Sequence, residues 1–188
     1  ATSGNNTITL VSLNDDTYSD CTITVTDSTG NVSNSLTITS FIVDLTAATL
    51  AEVTAVTTPT TDTTPDYTFS STEAGTITYG GSCSSSTTSA IAGTITVTLI
   101  TLSEGTYTDC VFSVTDSAGN GSAFFTMRPF IIDTTAPTIS SIYPIDNQSG
   151  VSISDNISVT FSEAMFTITI NRDNTTCYGS LQLSSDNF

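Results

Sequence analysis

TYTDCVFSVTDSAGNGS, at Thr106–Ser122, decides the fold, because Thr17–Ser33 spells nearly the same string, TYSDCTITVTDSTGNVS. Cys21 and Cys110 lie 89 positions apart, and at that offset Gly4–Thr49 runs without gaps beside Gly93–Thr138, identical at about half of its positions. The likeness continues through SFIVDLTAAT at Ser40–Thr49 and PFIIDTTAPT at Pro129–Thr138. A period of about ninety residues is the size of one β-sandwich domain and too long for a solenoid repeat. The expected organisation is therefore the closing part of one domain over 1–48, a whole domain over 49–137 and the opening part of a third over 138–188. Pro137 marks the second junction; the first has Leu45 and Ala48 where the second has Thr134 and Pro137.

Short runs rich in Thr, Val, Ile, Phe and Tyr, broken by Gly, Pro, Asp and Ser clusters, predict an all-β chain. Thr94–Ile100 places Ile95, Val97 and Leu99 on one face and threonines on the other. Cys110, Phe112 and Val114 alternate in the same way, as do Cys21, Ile23 and Val25 one repeat earlier. Asp116–Asn120 reads as a tight turn in which Gly119 is free to take a positive φ. Leu102–Tyr107 and Leu13–Tyr18 read as corners entering the Cys-bearing strands, similar to the tyrosine corner of Greek-key sandwiches. Here the Tyr precedes the Cys by three positions instead of two. No segment sustains a 3.6-residue period, so essentially no helix is expected. Thr57–Thr68, with Asp62 and Asp66, reads as a solvated loop.

The composition excludes several function classes. The 188 residues include 41 Thr and 28 Ser, no His, no Lys and no Trp, and a net charge of -16. With only Arg128 and Arg172 as cations, the usual general bases, Schiff-base lysines and phosphate clamps are missing, and no Lys–Asn or Lys–Asp isopeptide crosslink can form. Nucleic-acid binding requires clustered positive charge, the reverse of this balance. No apolar run reaches membrane-spanning length, so no membrane span is expected in this segment. A sugar-binding or hydrolytic accessory module normally presents exposed Trp or Tyr for stacking, and Trp is absent. The expected object is non-enzymatic.

The block G-T-Y-x-D-C-x-x-x-V-T-D-x-x-G-N-x-S, followed by V/I-D-T-T-A-P, resembles the bacterial Ig-like repeats of large surface proteins and adhesins over roughly residues 1–137. Ile145–Ser154 and Val159–Met165 are similar to a different bacterial Ig-like type, found in S-layer and surface proteins. The resemblance implies tandem Greek-key sandwiches in an extracellular, cell-surface protein, serving as a stalk, an adhesin arm or a fibre. Its partners would be neighbouring Ig-like domains of the same chain or of identical chains, with a host, cell or surface ligand elsewhere.

Four cysteines stand at 21, 83, 110 and 177. Cys83 follows a Gly-Gly turn after a strand over Ala74–Tyr79, and Cys110 sits on the penultimate strand of the whole domain. A Cys83–Cys110 disulfide is expected, and with it an oxidising compartment. Cys21 occupies the place of Cys110, so its partner would lie upstream of residue 1; Cys177 would have its partner downstream of Phe188. The alternative is a self-assembling filament subunit, in which one chain's opening strands complete the next chain's closing strands through a Cys177–Cys21 bridge.

Asp116 and Asp133, with Asp27 and Asp44 one repeat earlier, recur at turn and linker positions. Carboxylates gathered at a domain end suit a hard cation, which takes several oxygen ligands. In the repeats that this chain resembles, calcium at such junctions stiffens the rod. The Asp133 junction is the stronger candidate, because Leu45 removes a hydroxyl from the Asp44 linker; Glu104, Asp15 and Asp16 are weaker ones. Against this, the Asp of D-x-x-G-N nucleates a turn without any metal by accepting backbone N–H bonds, and an acidic surface alone keeps a long protein soluble. N-x-S/T sequons occur at Asn5, Asn31, Asn120, Asn147, Asn156 and Asn174, a number that chance supplies in so hydroxyl-rich a chain.

Overall fold

Alternation of apolar and hydroxyl side chains marks the longer strands such as Asp66–Ser71 and Gly93–Thr98, and in the computed structural model the described residues, 1–152 and 154–164, form strands and turns with no helix. The fold is all-β. Two compact units divide it, Ala1–Thr134 and Thr135–Phe188.

In the first repeat, β1 (Asp16–Tyr18) pairs antiparallel with β4 (Phe41–Val43), and β2 (Thr22–Ile23) pairs with β3 (Leu36–Thr37). The second repeat adds strands on both sides of the same framework. A three-stranded sheet runs in the order β5 (Leu50–Thr54), β6 (Asp66–Ser71), β9 (Gly93–Thr98). A four-stranded sheet is formed by β7 (Gly75–Gly80), β8 (Ser89–Ala90), β11 (Val111–Thr115) and β12 (Phe125–Thr126), in the order β12-β11-β7-β8. β10 (Gly105–Tyr107) pairs with β13 (Phe130–Ile132).

The 89-residue offset survives in three dimensions. Tyr18↔Phe41 becomes Tyr107↔Phe130, with rings stacked at 5.3 and 5.2 Å. Tyr107 Oη donates to the Ser103 carbonyl at 2.8 Å, and Tyr18 Oη to the Asn14 carbonyl at 3.3 Å, so both corners form as read from the sequence. Gly30 and Gly119 both take positive φ, 94° and 98°, in the D-x-x-G-N turns.

The core lies between the sheets of the second repeat. Tyr67, Phe69, Val97, Leu99, Phe112 and Val114 are buried from alternate positions of β6, β9 and β11 and the residue after β9. Phe112 is the hub, its ring 4.4 Å from Phe69, 5.9 Å from Tyr67 and 5.5 Å from Phe125. Burial of each such side chain stabilises by about 1.5–3 kcal/mol, and ring pairs add about 0.5–1.5 kcal/mol each. Cys83 and Cys110 are disulfide-bonded across a separation of 27 residues, both buried.

The solvated loop expected over Thr57–Thr68 is corrected at both ends. Asp66 opens β6, its Oδ1 accepting from Thr98 Oγ1 at 2.6 Å, and Tyr67 is among the most buried side chains. Thr60 is held in a parallel bridge to Ile132, its amide donating to the Ile131 carbonyl and its carbonyl accepting from the Asp133 amide. Tyr67 and Phe69 alternate with Thr68 and Ser70, a two-residue period that the surrounding threonines obscure.

In the other unit, β14 (Ile139–Tyr143) pairs antiparallel with β15 (Ser158–Phe161). The Thr138 amide donates to Ser162 Oγ at 2.9 Å, and the Ser162 amide returns a bond to the Thr138 carbonyl. Thr49 and Thr72 make the same reciprocal pair at the start of the second repeat. Arg172 and Cys177 lie outside the described residues.

Candidate cation site at the joint between the repeats

The joint inside Ala1–Thr134 forms where the chain leaves β4 and enters β5. Ala48 is buried in the core of the second repeat, so the linker is anchored there. Across from it stands the Asp116–Asn120 turn, whose Asn120 Nδ2 donates both to Asp116 Oδ2 at 2.9 Å and to the Asp44 carbonyl at 3.0 Å. One amide thereby clasps the second repeat to the last strand of the first. The β6–β7 turn closes the third side and carries Glu73.

Asp44, Glu73 and Asp116 each bring a carboxylate oxygen within 4.8 Å of the others, all three half-buried. Asp116 is already well supplied: Oδ1 accepts from the Gly119 and Asn120 amides at 2.7 and 2.9 Å. The Asn120 side-chain amide, ahead of these backbone donors, holds Asp116 below its ordinary value, although partial burial pushes the other way. Asp44 Oδ1 accepts from the Thr46 amide at 3.0 Å. Glu73 differs from both. Its Oε2 is buried and has no hydrogen-bond partner, and burial, then the charges of Asp44, Asp116 and Asp15, push its carboxyl up. Three carboxylates converging without a cation among the described side chains at the site is a costly arrangement unless something positive joins them.

A hard divalent cation fits what is present. All donors are oxygens, and calcium–oxygen bonds of about 2.3–2.6 Å let ligands on opposite sides of an ion stand about 5 Å apart. Asp44, Glu73 and Asp116 are the residues that would hold it.

Of the aspartates expected at metal positions, the structure brings Asp44 and Asp116 together. Asp133 is not a member of this cluster; its amide is engaged with Thr60. Asp27 caps its own turn: Oδ1 accepts from the Thr29 amide, Thr29 Oγ1 and the Asn31 amide, and Oδ2 from Asn31 Nδ2. These bonds, the Asn31 side chain first, hold its carboxyl far below the usual range. Asp15 Oδ2 accepts from the Leu45 amide at 3.3 Å, and Glu104 Oε2 from the Thr134 amide at 3.2 Å, two copies of one loop-to-linker tie.

Sequence reasoning missed Glu73. A signal existed in the shared wording Thr68-Phe69-Ser70-Ser71-Thr72-Glu73-Ala74 and Thr160-Phe161-Ser162-Glu163-Ala164. Glu163 follows Ser162 as Glu73 follows Thr72, and its Oε1 is likewise buried without a partner.

Residues 133–185 match the family model of a bacterial Ig-like domain. That stretch takes in most of the third piece expected from the sequence, and such domains are structural modules of surface-exposed proteins. No curated protein and no solved structure matches the chain. No helix among the described residues is long and apolar enough to cross a membrane.

Proposed function

We propose that this chain is a structural segment of an extracellular bacterial surface protein, a stalk, adhesin arm or cell-surface fibre, in which calcium stiffens the joint between consecutive repeats. The observation that carries this reading is the joint itself. An amide clasp from Asn120 and three converging carboxylates sit where one repeat hands the chain to the next. Bound calcium would neutralise Asp44, Glu73 and Asp116 together and so oppose bending at the linker. The Cys83–Cys110 disulfide withholds its loop from extension under load. Neighbouring Ig-like domains, before and after, are the partners of such a segment, and a surface ligand would be met elsewhere along the protein.

Single-molecule pulling between the two ends of the chain tests it. The expected trace shows a cooperative rupture of the second repeat, with the residues between Cys83 and Cys110 released only after reductant is added. Calcium should raise the rupture force, and chelator or Glu73→Gln should return it to the metal-free value. Gradual extension at low force, indifferent to reductant and calcium, would contradict the mechanical role. A reductant-dependent rupture that ignores calcium would keep the stalk and remove the metal.

A further inference from the structure

Asn120, which makes the clasp at the joint, is followed by Gly121, and this is the only Asn-Gly pair in the sequence. An asparagine before glycine loses its side-chain amide more readily than before any other residue, because a glycine nitrogen with no Cβ beside it closes easily on the asparagine Cγ. The fold does not call for glycine here. Gly119 takes a φ of 98°, but Gly121 is not among the positive-φ glycines. A Cβ added at Gly121 would meet only Thr115 Oγ1 at 3.6 Å, an ordinary contact. The first repeat has Val32 in the same place, and its Thr26↔Val32 bridge repeats Thr115↔Gly121.

The two reacting groups are held differently. Gly121 is exposed, and the backbone bonds on either side pass it by: the Asp116 amide donates to the Asn120 carbonyl at 3.1 Å, and the Ser122 amide to the Val114 carbonyl at 2.8 Å. The Gly121 amide itself is bonded to no described residue. The Asn120 side chain is pinned, with Nδ2 donating to Asp116 Oδ2 at 2.9 Å and to the Asp44 carbonyl at 3.0 Å. Ring closure requires Cγ to swing onto the Gly121 nitrogen, and those two bonds oppose the swing.

We propose that Asn120-Gly121 is a deamidation site gated by the joint: the side chain is protected while it clasps Asp44 and reacts when the joint opens. The reaction consumes only water. Hydroxide takes the Gly121 amide proton, the nitrogen bonds to Asn120 Cγ, and the Cγ–Nδ2 bond breaks, so that protonated Nδ2 leaves as ammonia and a five-membered imide remains. Water then adds to one of the two imide carbonyls and opens the ring, giving aspartate or isoaspartate. Either product puts a carboxylate where the clasp had a donor, opposite Asp116 Oδ2 and the Asp44 carbonyl, which are acceptors. Acceptors facing one another repel, so the clasp does not form again. A joint held open by load thereby becomes permanently loose. This inference rests on the mechanical reading of the joint and not on a bound cation.

The test ages the full chain in warm, mildly alkaline buffer containing chelator and free of load, so that its outcome is separate from that of the pulling experiment. Peptide masses after digestion should show conversion of amide to acid at Asn120, part of it as isoaspartate that an isoaspartyl methyltransferase labels, with Asn31 unchanged. In denaturant Asn120 should convert about ten-fold or more faster, because in the folded chain only the open fraction reacts. Gly121→Ala should remove the conversion on that time scale while leaving hydrogen exchange of residues 44–48 as it was. Asn120→Asp and the aged chain should both exchange faster over residues 44–48. An Asn120 that stays an amide in the folded chain would overturn the proposal, as would equal rates in the folded and denatured chain. Unchanged exchange of residues 44–48 in both Asn120→Asp and the aged chain would overturn it as well.

Discussion

Two copies of one sequence stand side by side in this molecule, and only one is closed. Residues 93–132 and 4–43 share their corner, their Tyr–Phe stack, their D-x-x-G-N turn and their registers. Yet the strand at Gly93–Thr98 has no counterpart at residues 4–9, and a core position such as Phe112 becomes the half-buried Ile23. Local features written in turns and corners form without the opposing sheet. Strands and burial do not, because a β-strand is stabilised by its neighbours and by the face it covers.

Substitution at the hub should separate the copies most. Phe112→Ala is expected to cost about 3–5 kcal/mol, whereas Ile23→Ala, facing an open groove, should cost less than about 1 kcal/mol. Denaturant unfolding of the full chain reads both, and equal costs would mean that the first repeat is closed in solution. Next comes the bridge. The Cys83→Ala, Cys110→Ala double variant should lose about 3 kcal/mol through the entropy of its unlocked loop, while Cys21→Ala alone should leave the melting curve in place. Smaller again is the corner: Tyr107→Phe should cost about 1 kcal/mol, and Tyr18→Phe less, since its bond is longer.

The smallest effect is on pH. The folded Asp27 carboxyl titrates far below its ordinary value of 3.8. Its turn therefore contributes stability that is present above about pH 3.8 and is lost as the pH falls further. Asp27→Asn should flatten that part of the acid-stability curve, and an unchanged acid limb would show that the turn contributes nothing there.

Much of this architecture is legible in the chain because the determinants are local. The alternation of Cys110, Phe112 and Val114, the Gly-Gly turn before Cys83 and the positive-φ glycines each signal within a few residues of themselves. Glu73 was not legible, since what distinguishes it is its meeting with Asp44 and Asp116, residues far away in the chain that only the folded joint gathers. The meeting of Asp44 with Asp116 escaped the sequence for the same reason. A hydroxyl lost at Leu45 is visible in the linker, while the Asn120 clasp that draws Asp44 to the turn comes from the next repeat. Tyr67 was hidden by composition, since threonines on both sides mask the period that buries it.

Hydrogen exchange on the full chain, resolved by peptide, tests the comparison most directly. Amides in residues 93–115 should open only with the global unfolding of the second repeat, while those in residues 4–26 exchange with little protection. Similar protection in the two stretches would contradict the claim that the repeat needs its opposing strands, and would mean that residues 1–48 are already closed.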